Sequence, residues 1–317
     1  MKLNTLYRGD CLEVMKSIPD KSIDLVLTDP PYFWVVSNDW DNQWKTREEF
    51  IDWLELCTKE WKRVLKDNGS LYVFWDDKII SYVQVMMDKY FKLENNLVWY
   101  KPNNMTIKGW AQFNCYAPCT ERVLFYSNEI VNINGLCVFK ARDYIRSNIE
   151  KIKGGISLKE INQILWTADN GGGVASACLS LEKSEPLMMT EEHFIRLFQN
   201  LYPVREYESL KAEYESLKRP FNPMDNFTDV WTFSMTTETE KWAGKHPTIK
   251  PLVIIRRMIE TSTRPCSTVL DCFAWSGTTW VACIETWRNY ILIEKDEDYC
   301  NIIEKRLKAT TPPLFVM

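Results

Sequence analysis

The residues of this chain that are best suited to chemistry stand where a short apolar run ends, at Asp29, Pro30, Pro31 and Tyr32. The run itself, residues 23–28, contains β-branched side chains and is typical of a buried strand in a parallel sheet. Proline lacks a backbone N–H and fixes φ, so the strand cannot continue beyond the aspartate. We therefore expect these four residues at the carboxyl end of a strand, where open α/β sheets bind their ligands.

This combination suits the binding of an exocyclic amino group. A carboxylate and a rigid backbone carbonyl can each accept a hydrogen bond from one amine, and the neighbouring tyrosine ring can stack on a flat heterocycle. Hydrogen bonds through both amine protons draw the nitrogen toward sp3 geometry and expose its lone pair for attack. The plainer alternative is a strand exit at which the prolines stop edge pairing and Asp29 only caps the loop.

A second stretch has the pattern of a nucleotide site. Residues 267–270 are predicted as a strand that runs into the turn Asp271–Thr279 and then a helix, and the next predicted strand, 290–293, ends at Glu294. A turn of small residues lets a ligand approach the backbone, and an acid at the next strand end can accept hydrogen bonds from ribose hydroxyls. The turn contains a single glycine, so the pattern alone is weak evidence.

Hydrophobic periodicity indicates the elements that position these residues. Before residue 128 it predicts strands at 3–10, 23–28, 70–75, 93–100 and 120–126, with helices at 11–17, 48–65 and 79–90. After residue 246 it predicts a helix at 252–262 and a closing helix at 298–308. The alternation predicts an α/β fold with a central sheet, in which Asp10 is another acid at a strand end. The aromatic segment 33–44 is either a loop over the site or packing at the rim of the domain.

The pattern changes between residues 138 and 228. Helices are predicted at 140–152, 157–165 and 191–199, and a charged segment at 206–218 repeats Tyr-Glu-Ser-Leu-Lys. Between residues 140 and 159, six basic residues face two acidic ones, and the basic ones include Arg142, Arg146, Lys151 and Lys153. This patch is either a solvated helix face or a phosphate-contacting surface.

Composition narrows the class of protein. The chain has 317 residues, of which 45% are hydrophobic and 26% charged, as expected of a soluble globular protein with one large domain and an insert. We expect no membrane span and no signal peptide. Ten cysteines without CxxC pairs and only two histidines argue against a zinc site and for reduced thiols in a cytosol. A net charge of -4 requires any basic surface to be local.

Together these motifs resemble the amino-methyltransferases of DNA, which transfer a methyl group from S-adenosylmethionine to an exocyclic base nitrogen. The order of motifs is similar to the permuted β class: the catalytic Asp-Pro-Pro-Tyr motif first, a target-recognition insert in the middle, and the cofactor motif last. Three motifs occur in that order, Asp29–Tyr32, His246–Pro251 and Asp271–Thr279. The resemblance implies a Rossmann-like mixed sheet flanked by helices, with a catalytic part at 1–137, a helical recognition insert at 138–228 and a cofactor-binding part at 229–317.

The resemblance also assigns roles by position. Asp29 and Pro30, with Pro31, would hold the target amine, and Tyr32 would stack on a base flipped out of double-stranded DNA. The implied cofactor-binding residues are Asp10, Cys11, Thr248, Lys250, Asp271, Phe273, Ser276, Gly277, Thr278 and Glu294. Among them, Asp10 would lie on the adenine side, Glu294 at the ribose, and Thr248 and Lys250 near the methionine carboxylate. The strand before Asp10 would continue the sheet beside the strand that ends at Glu294.

The cofactor turn departs from the family pattern. The usual Asp-Pro-Phe-x-Gly-Ser-Gly has Cys272 in place of the proline and Trp275 in place of the first glycine, and Ile249 replaces a common glutamine. We expect the indole of Trp275 to turn outward, toward the segment 34–44, and to leave the pocket open. The competing interpretation is that it fills the methionine slot and yields an impaired DNA-binding relative.

The resemblance implies an adenine-N6 enzyme, because Asp-Pro-Pro-Tyr accompanies adenine and Ser-Pro-Pro-Tyr more often accompanies cytosine. Cytosine-N4 methylation and RNA base methylation are the alternatives. It further implies a cytoplasmic enzyme of a bacterium or bacteriophage, a cognate restriction endonuclease as a partner, and a homodimer as a further expectation.

Overall fold

The computed structural model describes residues 1–33, 43–102, 119–128, 157–165, 173–179, 219–223, 228–234 and 249–309, together with residues 190, 193, 212 and 216. The chain divides into two compact units. One comprises Met1–Ile130 and Pro220–Met317, and the other comprises Val131–Arg219. The domain boundaries expected from sequence, at 137/138 and 228/229, stay predictions, and they lie within nine residues of these divisions.

An eight-stranded sheet forms the centre of the first unit. In chain order its strands are β1 (Thr5–Arg8), β2 (Ile23–Thr28), β3 (Leu65–Trp75), β4 (Lys92–Tyr100), β5 (Thr120–Ser127), β6 (Val230–Thr232), β7 (Thr268–Asp271) and β8 (Asn289–Glu294). Across the sheet they follow the order β1-β8-β7-β2-β3-β5-β4-β6.

The described helices connect and flank these strands. They are α1 (Cys11–Met15), α2 (Arg47–Val64), α3 (Ile80–Met87), α4 (Leu158–Ile164), α5 (Val174–Leu179), α6 (Leu252–Ser262), α7 (Thr278–Glu285) and α8 (Glu297–Ala309). Among them, α4 and α5 belong to the second unit.

Strand β2, which leads to Asp29, lies inside the sheet with a parallel partner on each side, β3 and β7. Its residues are almost all buried, as its continuous apolar sequence predicts. Strand β5 runs antiparallel to both β3 and β4, so the sheet is mixed. Strand β1 pairs in parallel with β8, which confirms the expected continuation of the sheet from the Glu294 strand to the Asp10 strand.

Helices cover both faces of the sheet because each face is apolar. Met15, Phe50 and Trp61, from α1 and α2, belong to the core on one face. Met258 of α6 and Trp280 of α7 belong to the core on the other face. This is the Rossmann-like arrangement expected from the sequence.

One local difference from the sequence-based prediction has a physical cause. The sequence predicts a strand only from residue 70, but β3 begins at Leu65, directly after α2, and its pairing with β2 is irregular between Leu65 and Ser70. A Cβ added at Gly69 would lie 2.9 Å from the carbonyl oxygen of Lys66, so only glycine allows this tight path.

In the second unit, the predicted helix at 157–165 is confirmed as α4, which begins with a capping box formed by Ser157 and Glu160. Helix α5 was not predicted, because it follows three glycines and is only six residues long. The predicted helices at 140–152 and 191–199, and most of the segment 33–44, fall outside the described residues. No helix in the described part of the chain is both long and apolar enough to span a bilayer.

Candidate active site

The four residues of the Asp-Pro-Pro-Tyr motif follow the last residue of β2, where the prolines end the strand as expected. The Asp29 carboxylate accepts a hydrogen bond on each oxygen: the Tyr32 hydroxyl donates to Oδ1 over 2.8 Å, and Lys250 Nζ donates to Oδ2 over 2.6 Å. Pro30 and Pro31 are buried. Tyr32 is half-buried, with its ring 6.1 Å from that of Trp75.

Lys250 is therefore a partner of the catalytic motif, a position that its predicted role in cofactor binding did not anticipate. Burial alone would lower the pKa of the Lys250 ammonium, but the Asp29 and Glu121 carboxylates raise it above its ordinary value. Burial raises the pKa of Asp29, against the opposing effect of the ammonium. The lysine thus remains protonated at neutral pH, and Asp29 acts as the acceptor of two hydrogen bonds.

Glu294 lies where the sequence places it, at the end of β8, and its carboxylate is held by backbone N–H groups. Trp275 N donates to Oε2 over 2.8 Å, and the N–H groups of Lys295 and Asp296 both donate to Oε1 over 2.9 Å. Burial raises the pKa of Glu294 to about 6, while the same N–H groups oppose the shift. The carboxylate is thereby fixed in orientation and can accept further hydrogen bonds from a ligand.

The indole of Trp275 contacts the catalytic motif, and most of the segment 34–44, toward which the sequence predicts that it turns, falls outside the described residues. The Trp275 φ of 47° lies in the left-handed region that favours glycine. Its indole Nε1 donates to the backbone carbonyl oxygen of Asp29 over 2.7 Å, and its ring meets that of Tyr299 edge-on at 5.5 Å between centroids. The indole thus joins the cofactor turn to the catalytic motif.

Asp271 at the end of β7 is turned into the protein. Its carboxylate accepts hydrogen bonds from Thr28 Oγ1, from Thr279 Oγ1 over 2.6 Å and from the N–H of Phe273. Burial raises the pKa of this carboxyl to about 7, and these donors oppose the shift. This residue supports the turn that lines the site.

A cavity of about 880 Å³ lies beside the motif. The residues predicted to bind cofactor that line it are Asp10, Cys11, Phe273 and Glu294. Trp53, whose ring is 5.9 Å from that of Phe273, and Tyr299 also line it, and neither was predicted from the sequence. The cavity therefore combines carboxylates with aromatic rings, as a nucleoside requires.

A smaller cavity, of about 30 Å³, shares Phe273 and Trp275 with the walls of the larger one. Its walls include Asp29, Lys250, Asp271, Ser276 and Thr278. Gly277 does not line the larger cavity. Its φ is 77°, and a Cβ added there would lie 3.2 Å from Ile303 of α8, so a glycine at this position permits the turn to pack closely on that helix. Thr248, Arg142, Arg146, Lys151 and Lys153 lie outside the described residues.

The larger cavity, of about 880 Å³, has room for S-adenosylmethionine, whereas the smaller one has room only for a water-sized group and suits the cofactor through the chemistry of its walls. Asp10 and Glu294 present carboxylates for ribose and adenine in the larger cavity. In the smaller one, the hydroxyl oxygen of Thr278 is buried and has no hydrogen-bond partner among the described residues. A buried polar atom of this kind is satisfied by a ligand group, and the nearby Lys250 cation suits a carboxylate.

Comparisons with known proteins agree with this geometry. Residues 23–305 match the sequence model of a family described as DNA methylase, the N6 and N4 methyltransferases. The chain is 26% identical to the type II methyltransferase M.HinfI of Haemophilus influenzae, over 98% of this chain and 70% of that protein. It is also 26% identical to the DNA adenine methyltransferase YhdJ of Escherichia coli, over 97% of this chain and 83% of the relative.

The fold is shared with the crystal structure of the complex of M1.HpyAVI with S-adenosylmethionine. The TM-score is 0.53 at 18% identity, and the superposition covers 95% of this chain and 98% of the other. This likeness concerns the fold, and it includes the sheet that carries the two cavities.

Proposed function

This chain belongs to the DNA methylase family, and we propose that it transfers a methyl group from S-adenosylmethionine to the N6 amino group of adenine in double-stranded DNA. The observation that carries the proposal is the Asp29 carboxylate, fixed at the end of β2 by Tyr32 and Lys250. It lies beside a cavity whose walls suit a nucleoside.

S-adenosylmethionine is the cofactor, and when bound it supplies an activated methyl group on a sulfonium. In this chain Asp10 and Glu294 would hold the adenosine, with Phe273 along the ring. Thr278 and Lys250 would take the amino-acid end. Because Trp275 lines both cavities, its indole would border the cofactor between these ends.

The catalytic motif would act on the amine of the target base. Asp29 and the carbonyl of Pro30 would accept its two hydrogens, and Tyr32 would stack on the ring. As the nitrogen forms its bond to the methyl carbon, the bond from that carbon to sulfur would break, and the Asp29 carboxylate would stabilise the positive charge that the nitrogen gains. The extra proton on nitrogen then leaves to Asp29 or to water.

A base paired inside a duplex cannot reach these residues, so the target would be flipped out of the stack. We propose that the second unit, Val131–Arg219, recognises the DNA around it, since that part of the chain contains the basic cluster of Arg142, Arg146, Lys151 and Lys153.

Adenine is proposed over cytosine for two reasons. The motif begins with Asp29 rather than with a serine. The relative YhdJ is named a DNA adenine methyltransferase.

The name of M.HinfI, a type II methyltransferase, supports a cognate restriction endonuclease as a partner and a bacterial cytoplasm as the location. A homodimer stays a prediction.

The test is methyl transfer from radiolabelled S-adenosylmethionine to DNA, followed by identification of the modified nucleoside. We expect N6-methyladenine with the wild type and a loss of about a hundredfold or more with Asp29→Asn, since a positioned charge contributes that much in a water-excluded site. Asp24→Asn is a matched control, because Asp24 is on β2, the strand that precedes Asp29, and its Oδ1 also pairs with a lysine, Lys66, at 2.6 Å.

Two results would contradict the proposal. N4-methylcytosine as the product would overturn the choice of base. Full activity of Asp29→Asn, with Asp24→Asn equally active, would overturn the role of the motif.

A further inference from the structure

Two carboxylates and two ammonium groups alternate in a chain of ion pairs that ends at the catalytic motif. Lys250 Nζ lies 2.6 Å from Asp29 Oδ2 and 3.5 Å from Glu121 Oε2, and Glu121 Oε1 is bound in turn by Lys101. Glu121 belongs to β5, and Lys101 follows the end of β4. The four charges therefore balance within one compact unit.

The position of Lys250 creates a conflict with the chemistry. Its ammonium occupies Oδ2 of Asp29 while the Tyr32 hydroxyl occupies Oδ1. A target amine must compete with a cation for the same carboxylate, and the cation also weakens the ability of that carboxylate to stabilise positive charge on the amine. The Lys250 side chain is only 8% exposed, so water cannot readily replace Asp29 as the partner of its ammonium.

Glu121 is a second carboxylate with which the Lys250 ammonium can pair. Its Oε2 atom is buried, and at 3.5 Å the Lys250 ammonium is too far for a strong hydrogen bond. A small movement of the ammonium toward Glu121 would shorten this contact and lengthen the one to Asp29. The cation would remain paired with a buried carboxylate throughout, which avoids the cost of a buried unpaired charge.

We propose that Glu121 is a positioning residue for methyl transfer, which draws the Lys250 ammonium away from Asp29 Oδ2 when the target amine binds there. This inference rests on the proposed function of Asp29 as the amine acceptor. Lys101 holds the other oxygen of Glu121, so the carboxylate is kept in place to receive the ammonium. Glu121 acts through Lys250 and does not itself touch the base.

The test is the single-turnover rate of DNA methylation at saturating S-adenosylmethionine and DNA, because this rate excludes product release. Glu121→Gln keeps the size of the side chain and removes its charge, so that Lys250 remains on Asp29. We expect the rate to fall about tenfold or more, as removal of a positioned charge does. The dissociation constant of S-adenosylmethionine, measured by calorimetry, should stay within about threefold of wild type, because Glu121 lines neither cavity and the variant leaves the Lys250 ammonium in its place at the wall of the smaller one.

Glu94→Gln is the matched control. Glu94 is also a glutamate of the sheet, with an exposed side-chain fraction of 18% against 20% for Glu121, and it also pairs with a lysine, Lys92. It lies near the start of β4, whereas Glu121 is paired with Trp99 near its end. A general loss of stability in the sheet would therefore affect both variants, while the proposed role affects only Glu121.

Glu121→Asp covers the case in which Glu121→Gln fails to fold, because it keeps the charge and shortens the reach toward Lys250 by one methylene. We expect its single-turnover rate to fall at least about threefold at unchanged cofactor affinity. A wild-type rate in a folded Glu121→Gln, or in Glu121→Asp, would overturn the inference, and so would an equal loss in Glu94→Gln. If the wild type itself transferred no methyl group, the proposed function would have failed. If the wild type and Glu121→Gln both transferred the methyl group at the same rate, the role of Glu121 would be refuted and the proposed function would stand.

Discussion

The indole nitrogen of Trp275 donates a hydrogen bond of 2.7 Å to the backbone carbonyl oxygen of Asp29. The same tryptophan donates its backbone N–H to Glu294, so one residue connects the catalytic motif with the carboxylate proposed to bind ribose. A glycine at this position, as in the family pattern, could make only the second of these contacts. The substitution therefore adds a link between the two halves of the site.

We expect Trp275→Phe to slow methylation about fivefold, because the lost hydrogen bond to the Asp29 carbonyl is worth about 1 kcal/mol. Cofactor affinity should change by less than about threefold, since Asp10, Phe273 and Glu294 are retained. Single-turnover rates and calorimetric titration measure the two quantities. Trp287→Phe is the control, because Trp287 also has a positive φ, of 60°, but is 53% exposed.

Trp275→Gly separates the two interpretations of the indole. Comparable affinities for S-adenosylmethionine in the wild type and this variant support an indole that borders the cofactor. Binding that appears only in the glycine variant would mean that the indole blocks the amino-acid end, and it would contradict the proposed activity of the wild type.

Tyr32→Phe should be more harmful than a stacking role alone implies. From the sequence we expect stacking to need the ring more than the hydroxyl, yet the hydroxyl donates to Asp29 Oδ1 over 2.8 Å. We expect a loss of about fivefold to tenfold in the methylation rate for Tyr32→Phe, and about a hundredfold for Tyr32→Ala, which also removes the stacking surface. Tyr90→Phe is the control, since Tyr90 makes a similar hydrogen bond to Glu55. A harmless Tyr32→Phe would show that the hydroxyl does not orient Asp29.

Cofactor affinity should depend on pH through Glu294, whose pKa is raised to about 6 by burial. Below this pH the carboxyl gains a proton and loses acceptor capacity for ribose hydroxyls, so the affinity should fall as the pH drops from about 7 to about 5. Glu294→Gln should bind more weakly at pH 7 and show little change over the same range. Calorimetric titration at several pH values checks this, and an equal pH dependence in both proteins would place the titrating group elsewhere.

Stability should fall as the pH rises from about 5 to about 7, because of Asp271. Burial raises its pKa from the ordinary value of 3.8 to about 7 in the folded protein. Between pH 5 and pH 7 the folded state therefore holds a proton on this carboxyl that the unfolded state has lost. The unfolded state then binds fewer protons, and the free energy of unfolding decreases with pH, by about 2 kcal/mol for this group. Asp271→Asn should remove most of this slope in urea denaturation at pH 5 and pH 7. An unchanged slope would contradict the assignment.

Replacement of Arg142, Arg146, Lys151 and Lys153 by glutamine should weaken DNA binding and flatten its dependence on salt, because fewer counterions are released. Cofactor affinity should stay the same. The measurement is the DNA dissociation constant at several salt concentrations, and an unchanged slope would mean that this surface is only solvated.

The sequence predicted the strand ends well, because prolines and acidic residues interrupt apolar runs at Asp29 and Glu294. It could not predict the partners of Lys250, since Asp29 and Glu121 are distant from it in the chain and no local pattern marks the contacts. The hydrogen-bond partner of the Trp275 indole could not be predicted for a related reason. A side-chain orientation is decided by the acceptor that the tertiary structure offers, here the Asp29 carbonyl.

The order of strands also has a consequence for the synthesis of the protein. Thr28, at the end of β2, meets Asp271 of β7 across a separation of 243 residues in the chain. At about 5–20 residues per second, a ribosome needs roughly 10 to 50 seconds to make that interval. During this time the catalytic motif of the nascent chain lacks the strand beside it and the turn that lines the cofactor cavity. A chain that is still being synthesised therefore cannot methylate DNA until β7 has paired with β2.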